Sequence, residues 1–483
     1  MRDTVIYAES FGAVGDGITD DGPALSRAFR AAAQAGACLM LDGEKTYRVL
    51  SAENRAIYFE TPFAAEHCSG FSINGCGATV LCAPGIRYFA FSDCADFTVE
   101  HIRFDCDASV YYVGTVTDCC GHDVTFETDI PVQGDTCTFG GVGFSIQYND
   151  GTQQRPHRFF SEMRRLEEHR VSVTYHDENV YRAGDIVFLP AMDVGHMYGE
   201  PVYIGGSRGS VTLSDVTILA SPSFTCAVKH NEADITFRRF HMLPSDRHGH
   251  TKRMVAWRDG FHCKDNRGAL IFDECEIGVL FDDVFNISAT LGEVLSVPAP
   301  DTLCICNQEF HRHMSRDVPF SVRVGDIIDL YDYERDLFHG TVTVTAVSDS
   351  NTHTTVTLSE NIDGILPGCS VGNHMTCAPH SRVKNCRLTG TMRFRGPCII
   401  EDTEIDLLLI WLMVEGDVEG PIPRDIVFRR CTFRGGAIEV RGYNRPADRL
   451  LPNIEKQISG ITFEDCLSDT RIDAADGISI TIR

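Results

Sequence analysis

The sequence predicts an all-β solenoid with two inserted small β-barrels and an N-terminal capping helix. Short strand-like segments recur along most of the chain at the spacing of roughly 20 to 25 residues that such repeats require. Two long segments interrupt this rhythm with alternating apolar and polar residues. A turn rich in Gly and Asp, followed by an amphipathic helical pattern, occupies residues 11–34.

The capping helix is indicated by the order of its start signals. Gly15 and Gly17 mark a tight turn, and Pro23 suits the first helical turn. N-cap oxygen atoms are offered by Thr19, Asp20 and Asp21. Apolar residues then follow a helical period: Ala24, Leu25, Ala28, Phe29, Ala32 and Ala33. A phosphate-binding loop is a weaker alternative, because the stretch lacks the G-x-x-x-x-G-K-S/T pattern.

This stretch resembles the N-terminal cap of pectate-lyase-like proteins. The resemblance implies that the solenoid is a right-handed parallel β-helix, and it implies almost nothing about a reaction. In such a fold each coil packs only against its neighbours, so the interior is a continuous apolar column and the outer face is free to carry chemistry.

The coils are predicted in segments that share a strand-turn-strand pattern. These segments are FSINGCGATVLCAP, FSDCADFTVEHIRFDCD, GSVTLSDVTILAS, ADITFRRFHML, GALIFDECEIGVLF, SRVKNCRLTG, PCIIEDTEIDLLLI, RDIVFRRCTFRGG and SGITFEDCLSD. Cysteine recurs at one place in the pattern, at Cys275, Cys386, Cys431 and Cys466. Since a free thiol packs as a small hydrophobe, we expect a stacked interior ladder rather than disulfides or a metal site.

Two segments, 107–205 and 291–376, are too long for one coil and are predicted to be inserted β-barrels. They share a motif, YRAGDIVFL at residues 181–189 and VRVGDIIDL at residues 322–330, in which Gly-Asp forms the turn that leads into a strand. The likeness indicates related modules. The chain then divides into the β-helix parts 1–106, 206–290 and 377–483 and the two barrels between them.

Composition limits the classes of partner. The 483 residues carry a net charge of −25, which argues against nucleic acid and against anionic membrane surfaces. No apolar run approaches the roughly 18 residues of a membrane span. The start of the chain lacks a basic-then-apolar signal pattern, so we expect a cytoplasmic protein with free thiols, or a secreted one if a leader has been removed. Self-association is compatible with the sequence.

Three acids are the strongest indication of chemistry. Asp259 precedes one coil strand, and the adjacent Asp282 and Asp283 lie one repeat later; the separation of 282 − 259 = 23 residues predicts equivalent positions for Asp259 and Asp282 on neighbouring coils. Stacked strands lie roughly 4.8 Å apart, so the three carboxyl groups could share one patch. Asp282 and Asp283 face one site only if the chain bends or bulges there, since neighbouring side chains alternate. Crowded carboxylates raise the pKa of one member, which provides the acid and base that glycoside hydrolysis needs.

The order of cap, coils, barrels and acids resembles glycoside hydrolase family 110, inverting α-galactosidases that remove terminal α-1,3-linked galactose. The family's Asp-x-x-His stretch matches Asp259 and His262. Its Asp-Asp-Ala-x-Asn-Val-His pattern matches Asp282, Asp283 and Asn286. The resemblance implies that Asp282 and Asp283 are general acid and base, that Asp259 assists, and that His262 and Asn286 bind substrate.

A Trp-x-x-Glu stretch of the family resembles WLMVEGDVEG here, which implies substrate contacts by Trp411 and Glu415. The chain departs from the family at Ser288, where the family has His. The implied substrate is an oligosaccharide or glycoconjugate, without cofactor or metal. The alternatives are a polygalacturonase-like hydrolase, whose Gly-His-Gly and Arg-Ile-Lys signatures are missing after Asp283, and a carbohydrate-binding solenoid without catalysis.

Other clusters have structural explanations. Trp257 could stack on a sugar ring or pack beneath the loop. The run from Lys264 to Arg267 is expected to be a solvated turn. Two stretches with potential metal ligands, Cys119-Cys120-Gly-His122-Asp123 and His311-Arg-His313, lack the paired spacing of a zinc site and are expected to be surface loops of the barrels.

Overall fold

A computed structural model describes residues 4–56, 59–148, 158–178, 180–191, 200–413, 418–434, 438–443, 451–468 and 471–483. Its strands stack coil upon coil into three parallel sheets that surround one apolar column, and two closed six-stranded barrels are inserted between coils. The predicted fold, a parallel β-helix with two barrels and a capping helix, is confirmed.

The first sheet, sheet A, carries the outward-facing groups described below. Its strands are Phe63–Glu66, Phe89–Ser92, Val202–Gly205, Cys226–Lys229, Phe261–Lys264, Asp283–Thr290, the ends of Arg387–Phe394 and Glu404–Met413, Ile438–Tyr443 and Ile472–Ala474. A short strand, Glu419–Gly420, pairs antiparallel with the end of Asp283–Thr290.

Sheets B and C form the other two sides of each coil. Sheet B contains Val5–Tyr7, Cys38–Met40, Ser72–Asn74, the starts of Ala95–Cys106 and Arg208–Ile218, Asp234–Arg238, Leu270–Asp273, Ser381–Lys384, Cys398–Glu401, Ile426–Arg429, Ile461–Glu464 and Ile480–Ile482. Sheet C contains Asp16–Asp20, Thr46–Val49, Thr79–Cys82, the ends of Ala95–Cys106 and Arg208–Ile218, His241–Met242, Glu276–Ile277, the starts of Arg387–Phe394 and Glu404–Met413, Thr432–Phe433 and Leu467–Ser468.

Stacked aromatic rings fill the column where it passes beneath the acids. The ring of Phe272 lies 5.0 Å from that of Phe237 and 4.4 Å from that of Phe285, measured between centroids. Phe261 packs against the same rings, and all four side chains are buried. The outward residues of sheet A are therefore held on a rigid apolar support.

The turn from sheet B to sheet C repeats one conformation from coil to coil. A residue with positive φ comes first, at His101, Asp215, Arg239, Glu274, Asn385, Asp402, Arg430 and Asp465. In two runs of three coils the charges of these residues alternate: the guanidinium of Arg239 lies 2.6 Å from Asp215 and 3.3 Å from Glu274. Arg430 lies 2.7 Å from Asp402.

The next residue of each turn points inward, and here the cysteine ladder is confirmed. The backbone N–H of Cys275 lies 3.4 Å from the Sγ of Cys386. In the following coil the ladder is interrupted by Thr403, whose hydroxyl accepts the N–H of Cys386 at 3.3 Å. Cys431 and Cys466 continue it. All nineteen described cysteines are free thiols.

The capping helix α1 spans Gly22–Ala35 and buries the six apolar residues that its period predicted. The predicted turn is present, since Gly15 and Gly17 both have positive φ. One detail differs: Asp21 precedes the helix, but its carboxylate accepts the N–H groups of Val14 and Gly15 instead of capping the helix. The carboxylate of Asp21 therefore stabilises the turn before the helix and does not cap the helix itself.

Barrel 1 consists of Tyr111–Cys120, Asp123–Thr128, Thr136–Gln147, Arg158–Glu167, Arg170–Tyr175 and Ile186–Pro190. Barrel 2 consists of Gly292–Ala299, Thr302–Asn307, Ile327–Asp332, Leu337–Asp349, Thr354–Leu358 and Ser370–Asn373. Both close in the same strand order, first, second, fifth, fourth, third, sixth. This common topology supports related modules, while the exact domain boundaries stay predictions.

The remaining elements are short. Helix α2 is Gln308–Met314, helix α3 is Pro452–Glu455, and 3-10 turns occupy Ala8–Phe11 and His374–Thr376. Arg55–Ala56 pairs with Phe59–Glu60 as a separate hairpin. In the described part of the chain no helix is long and apolar enough to cross a membrane.

Candidate active site

The acids meet on sheet A because of the register between two coils. Phe261 pairs with Phe285. Asp259 and Asp283 each lie two residues earlier, so these two acids occupy equivalent positions, and the N–H of Gly260 donates to the carbonyl of Asp283 at 2.8 Å. The sequence spacing predicts Asp282 as the stacked partner. That prediction is wrong by one residue, because the pairing of Phe261 with Phe285 makes the coil one residue longer than the separation of Asp259 and Asp282.

A bulge brings the adjacent acids to one side. Asp283 pairs with Thr391 and Phe285 with Met392, so one extra residue is accommodated between them. This is the bend that the sequence required. One carboxylate oxygen from each of Asp259, Asp282 and Asp283 lies within 4.8 Å of the other two. We call these residues the acid trio.

The members of the acid trio differ in their exposure. Asp283 is fully buried and Asp259 is 2% exposed. The side chain of Asp282 is 11% exposed, which makes it the most accessible of the three. A ligand that approaches sheet A therefore meets Asp282 first.

Asp259 is held in its protonated form. Burial, followed by the neighbouring charge of Asp282, raises the pKa of Asp259 to about 8, although Arg258 and Arg393 oppose the shift. His262 Nδ1 lies 2.9 Å from Asp259 Oδ2. Burial lowers the pKa of His262 to about 4, so its imidazole is neutral near neutral pH. Near neutral pH a protonated carboxyl group therefore faces a neutral imidazole, and the pair has no net charge.

Two arginines balance the other acids. Arg393 Nη2 lies 2.5 Å from Asp283 Oδ2, and Arg258 Nε lies 3.4 Å from Asp282 Oδ2. Three carboxylates at this spacing could also surround a divalent cation. Because two guanidinium groups already supply positive charge at this position, the arrangement is better suited to proton transfer than to metal binding.

Glu419 is a further buried carboxylate of the site, and sequence reasoning missed it. It accepts a hydrogen bond from Arg395 Nη1 at 3.0 Å and from Asn286 Nδ2 at 3.2 Å. Arg393 and Lys264 also lie within 4 Å. Burial would raise the pKa of Glu419, but the three cations Arg395, Lys264 and Arg393 hold it well below its usual range. Its sequence signal was the WLMVEGDVEG stretch, where the resemblance pointed to Glu415 instead.

The expectation of a solvated turn from Lys264 to Arg267 is wrong. Lys264 is 8% exposed, and its ammonium group lies 3.3 Å from Glu309 of helix α2. Asn266 is buried and its Oδ1 accepts from Asn231 Nδ2 of the previous coil at 2.8 Å. These polar residues are buried because each finds a partner in the neighbouring coil or in barrel 2.

Aromatic residues border the acid trio toward barrel 1. Trp257 is 7% exposed and packs against Phe144 and Phe281, with centroids 5.0 and 4.4 Å away. This geometry favours the packing alternative for Trp257, and a sugar contact there stays a prediction. Phe224 occupies the position equivalent to Asp259 one coil earlier and is half-buried. Its ring centroid lies 4.6 Å from that of His262.

The C-terminal side of the site contains the remaining predicted contacts. Trp411 projects from sheet A beside Leu407 and Leu409, and its indole N–H donates to Glu439 at 3.1 Å. The guanidinium carbon of Arg393 lies 5.8 Å from its ring centroid. Glu415 lies outside the described residues. Ser288, at the position of the family's His, is buried, and its hydroxyl has no hydrogen-bond partner among the described residues.

Comparison with known proteins finds α-1,3-galactosidases. α-1,3-Galactosidase B of Bacteroides thetaiotaomicron is 25% identical over 221 residues, which are 42% of this chain and 34% of that protein. α-1,3-Galactosidase A of Akkermansia muciniphila is 25% identical over 212 residues, 41% of this chain and 35% of that protein. The aligned segment thus spans about a third of each relative's length. No family model matches the chain.

Two solved structures illustrate how distant the structural matches are. The A-module of a mannuronan C-5 epimerase from Azotobacter vinelandii is 9% identical with a TM-score of 0.35, covering 99% of this chain and 97% of that one. A family 28 exopolygalacturonase of Yersinia enterocolitica is 9% identical with a TM-score of 0.25, covering 99% of this chain and 76% of that one.

The strand pairing of the chain itself therefore defines the fold. The similarity to α-1,3-galactosidases covers about two-fifths of the chain. Taken together, the chain is a parallel β-helix protein that is similar over about two-fifths of its length to α-1,3-galactosidases, in agreement with the resemblance seen in its sequence.

Proposed function

We propose that this protein is an exo-acting glycoside hydrolase that removes a terminal α-linked galactose by carboxylate acid–base catalysis. The observation that carries the proposal is the acid trio: three carboxyl groups from two coils within 4.8 Å, one of them with a raised pKa. The similarity to two α-1,3-galactosidases supports the choice of sugar and linkage.

The environment of each acid suggests its role. Asp259 is the protonated member and can donate to the leaving oxygen as the sugar departs. Asp282 is the most exposed member and is placed to activate water or to stabilise the developing positive charge. Asp283 is buried against Arg393, so it positions the other two acids by its charge. The family resemblance implies that Asp282 and Asp283 are acid and base and that Asp259 assists. The present assignment instead gives the acid role to Asp259 and the assisting role to Asp283.

The charges around the site favour a neutral sugar. Among the described cations that border the acid trio, each lies within 4 Å of a carboxylate: Arg258, Arg393, Arg395 and Lys264. Binding a uronate carboxylate would require one of these ion pairs to be broken. The half-buried ring of Phe224, over which the guanidinium of Arg258 lies 4.6 Å from the ring centroid, offers an aromatic contact to a galactose ring at its remaining surface.

The stereochemistry of the reaction separates two mechanisms. The resemblance implies inversion, for which acid and base lie about 6.5–9.5 Å apart, whereas a retaining pair lies about 5 Å apart. One oxygen of each acid lies within 4.8 Å of the other two, which is nearer to the spacing of a retaining pair, so inversion is supported by the resemblance alone. We retain inversion in the proposal, and NMR of the anomeric proton in the first product tests it: a β-configured galactose is expected from an α-linked substrate.

A substrate screen with three carboxamide variants tests the function. Nitrophenyl α-galactoside and α-1,3-galactosyl oligosaccharides are expected to be cleaved, and Asp259→Asn, Asp282→Asn and Asp283→Asn are expected to lower kcat by orders of magnitude. Asp273→Asn, on the sheet B side of the same coil, is the matched control with unchanged kcat. Cleavage of uronides alone would favour the polygalacturonase alternative. Sugar binding without turnover in the unmodified chain would favour a binding solenoid.

A further inference from the structure

A second cluster of metal-ligand side chains lies outside the acid trio, on barrel 2. Cys306 belongs to the strand Thr302–Asn307, His311 to helix α2, and Asp317 to the loop that follows this helix. One ligand atom from each lies within 4.8 Å of the other two. We propose that Cys306, His311 and Asp317 bind a zinc ion.

The donor set and its spacing suit zinc. Thiolate, imidazole and carboxylate are the protein ligands of tetrahedral zinc, and three of them leave one position for water. With Zn–N near 2.0 Å and Zn–S near 2.3 Å, ligand atoms of such a site lie about 3–4 Å apart. His311 Nδ1 lies 2.7 Å from Asp317 Oδ1, in a hydrogen bond that the ion would replace.

The surroundings of His311 match those of a zinc-bound imidazole. Its second nitrogen, Nε2, lies 3.5 Å from the carboxylate of Glu293. Metal-bound histidines regularly donate their other N–H to a carboxylate, which fixes the ring. Glu293 is the cross-strand partner of Cys306, and its other oxygen accepts from Arg312 Nε at 3.0 Å. The second carboxylate is therefore itself held in place.

Charge also favours a cation at this position. The carboxylates of Asp317 and Glu293 lie beside the buried thiol of Cys306. A divalent ion would compensate the two carboxylates and bind the thiol as thiolate. Cys306 is buried, whereas the side chains of His311 and Asp317 are 37% and 40% exposed, so an ion can reach the cluster from solvent.

The proposed ion would anchor helix α2 to the outer wall of barrel 2. The helix also presents Glu309, whose carboxylate lies 3.3 Å from the ammonium group of Lys264. Zinc would thus stabilise the barrel side of the carbohydrate site without contacting a sugar. The sequence pattern could not show this, because Cys306 and Asp317 flank the histidines at unequal distances and only the fold brings them together.

Zinc retention by the full chain tests the proposal. After chelator treatment, reloading with zinc and gel filtration, the unmodified chain is expected to hold about one ion more than His311→Gln or Cys306→Ser. His313→Gln on the same helix and Cys304→Ser on the same strand are the matched controls, and both are expected to retain the ion. Cobalt(II) is expected to give a thiolate charge-transfer band that only the two cluster variants lose.

Thermal unfolding provides a readout that does not depend on activity. Zinc is expected to raise the Tm of the unmodified chain and of His313→Gln, and to leave that of His311→Gln unchanged. Equal zinc content in His311→Gln and His313→Gln, or a cobalt complex without a thiolate band, would overturn the proposal and leave His311 as a simple bridge between two carboxylates.

Discussion

Among single residues, Asp259 gives the clearest dependence on pH. Its pKa of about 8 means that the acid form, which protonates the leaving group, is lost as the pH rises through this value. The proposed hydrolase is therefore expected to lose kcat along an alkaline limb near pH 8. The measurement is kcat against pH on a galactoside whose leaving group needs protonation. A flat profile from pH 6 to 9 would contradict the assigned role.

The same group links folding to pH. Because folding raises the pKa of Asp259, its contribution to stability is fully present below the unfolded-state pKa of about 3.9 and is lost as the pH rises toward 8. Between these limits the free energy of unfolding should fall, relative to Asp259→Asn, by at most about 1.4 kcal/mol per pH unit. Urea unfolding of both proteins at several pH values measures this difference.

Phe224 is expected to act on sugar affinity. Its ring is half-buried beside His262 and shares its coil position with the acid Asp259. Loss of an aromatic contact worth about 1.4 kcal/mol corresponds to a tenfold change in an equilibrium constant. Phe224→Ala should therefore raise KM about tenfold, and Phe224→Tyr should not. A fall in kcat at constant KM in Phe224→Ala would place the ring elsewhere in the reaction.

Glu419 is a residue of the site that could not be predicted from the sequence. It reaches Asn286 only because the short strand Glu419–Gly420 folds back antiparallel onto a strand of sheet A. No periodic pattern predicts such a two-residue pairing. The acids Asp259, Asp282 and Asp283, in contrast, could be found because the coil repeat alone brings them together.

At the scale of elements, the pairing of Glu419 with its arginines should control stability. Removing one partner of a buried ion pair leaves an uncompensated charge and costs about 3–5 kcal/mol. Glu419→Gln should lower the free energy of unfolding by about this amount at pH 7. The difference should vanish on acidification, since the depressed pKa of Glu419 means that its contribution is present above pH 4.3 or so and is lost as the acid protonates.

The control for this variant is a surface ion pair. Glu404→Gln removes an exposed partner of Arg434 and should change the free energy of unfolding by less than about 1 kcal/mol. Urea unfolding of Glu419→Gln, Glu404→Gln and the unmodified chain gives all three values. Equal effects of the two substitutions would mean that the buried network contributes no more than the surface pair.

The motif shared by the two insertions illustrates what a local sequence likeness can predict. In both, the Asp carboxylate accepts the N–H of the Arg three residues earlier, Asp185 from Arg182 at 2.8 Å and Asp326 from Arg323 at 2.9 Å. The turn was therefore predicted correctly. However, the strand that follows is the sixth of barrel 1 and the third of barrel 2, so the motif marks a recurring turn and not equivalent strands.

For the molecule as a whole, the repeat made the fold predictable, and the exact length of one coil limited the prediction of the site. The apolar periodicity and the capping helix are sufficient to predict the coils, the apolar column and the barrels, because each of these features depends on a local sequence pattern. Asp283 rather than Asp282 stacks on Asp259 because Phe261 pairs with Phe285, which makes this coil one residue longer than the separation of Asp259 and Asp282, and periodicity does not resolve a difference of one residue. A shift by one residue exchanges inward and outward side chains, so this detail decides which acid is buried.

The column itself makes a prediction for global stability. Phe272 contacts three other rings inside the coils, and Phe→Ala changes in cores cost about 3–5 kcal/mol. Phe272→Ala should lower the free energy of unfolding by this amount. Ile482→Ala, at a side chain that is 71% exposed in the last strand, should change it by less than about 0.5 kcal/mol. Calorimetry of both variants checks the contrast, and equal Tm values would contradict a continuous column.

The alternating charges along the turn from sheet B to sheet C favour the native stacking order of the coils during folding. Asp215, Arg239 and Glu274 follow one another on consecutive coils, as do Asp402, Arg430 and Asp465. A chain that skipped one coil while assembling would set two carboxylates side by side, at Asp215 and Glu274 or at Asp402 and Asp465. The alternation of charge along this turn therefore disfavours assemblies in which a coil is skipped during folding.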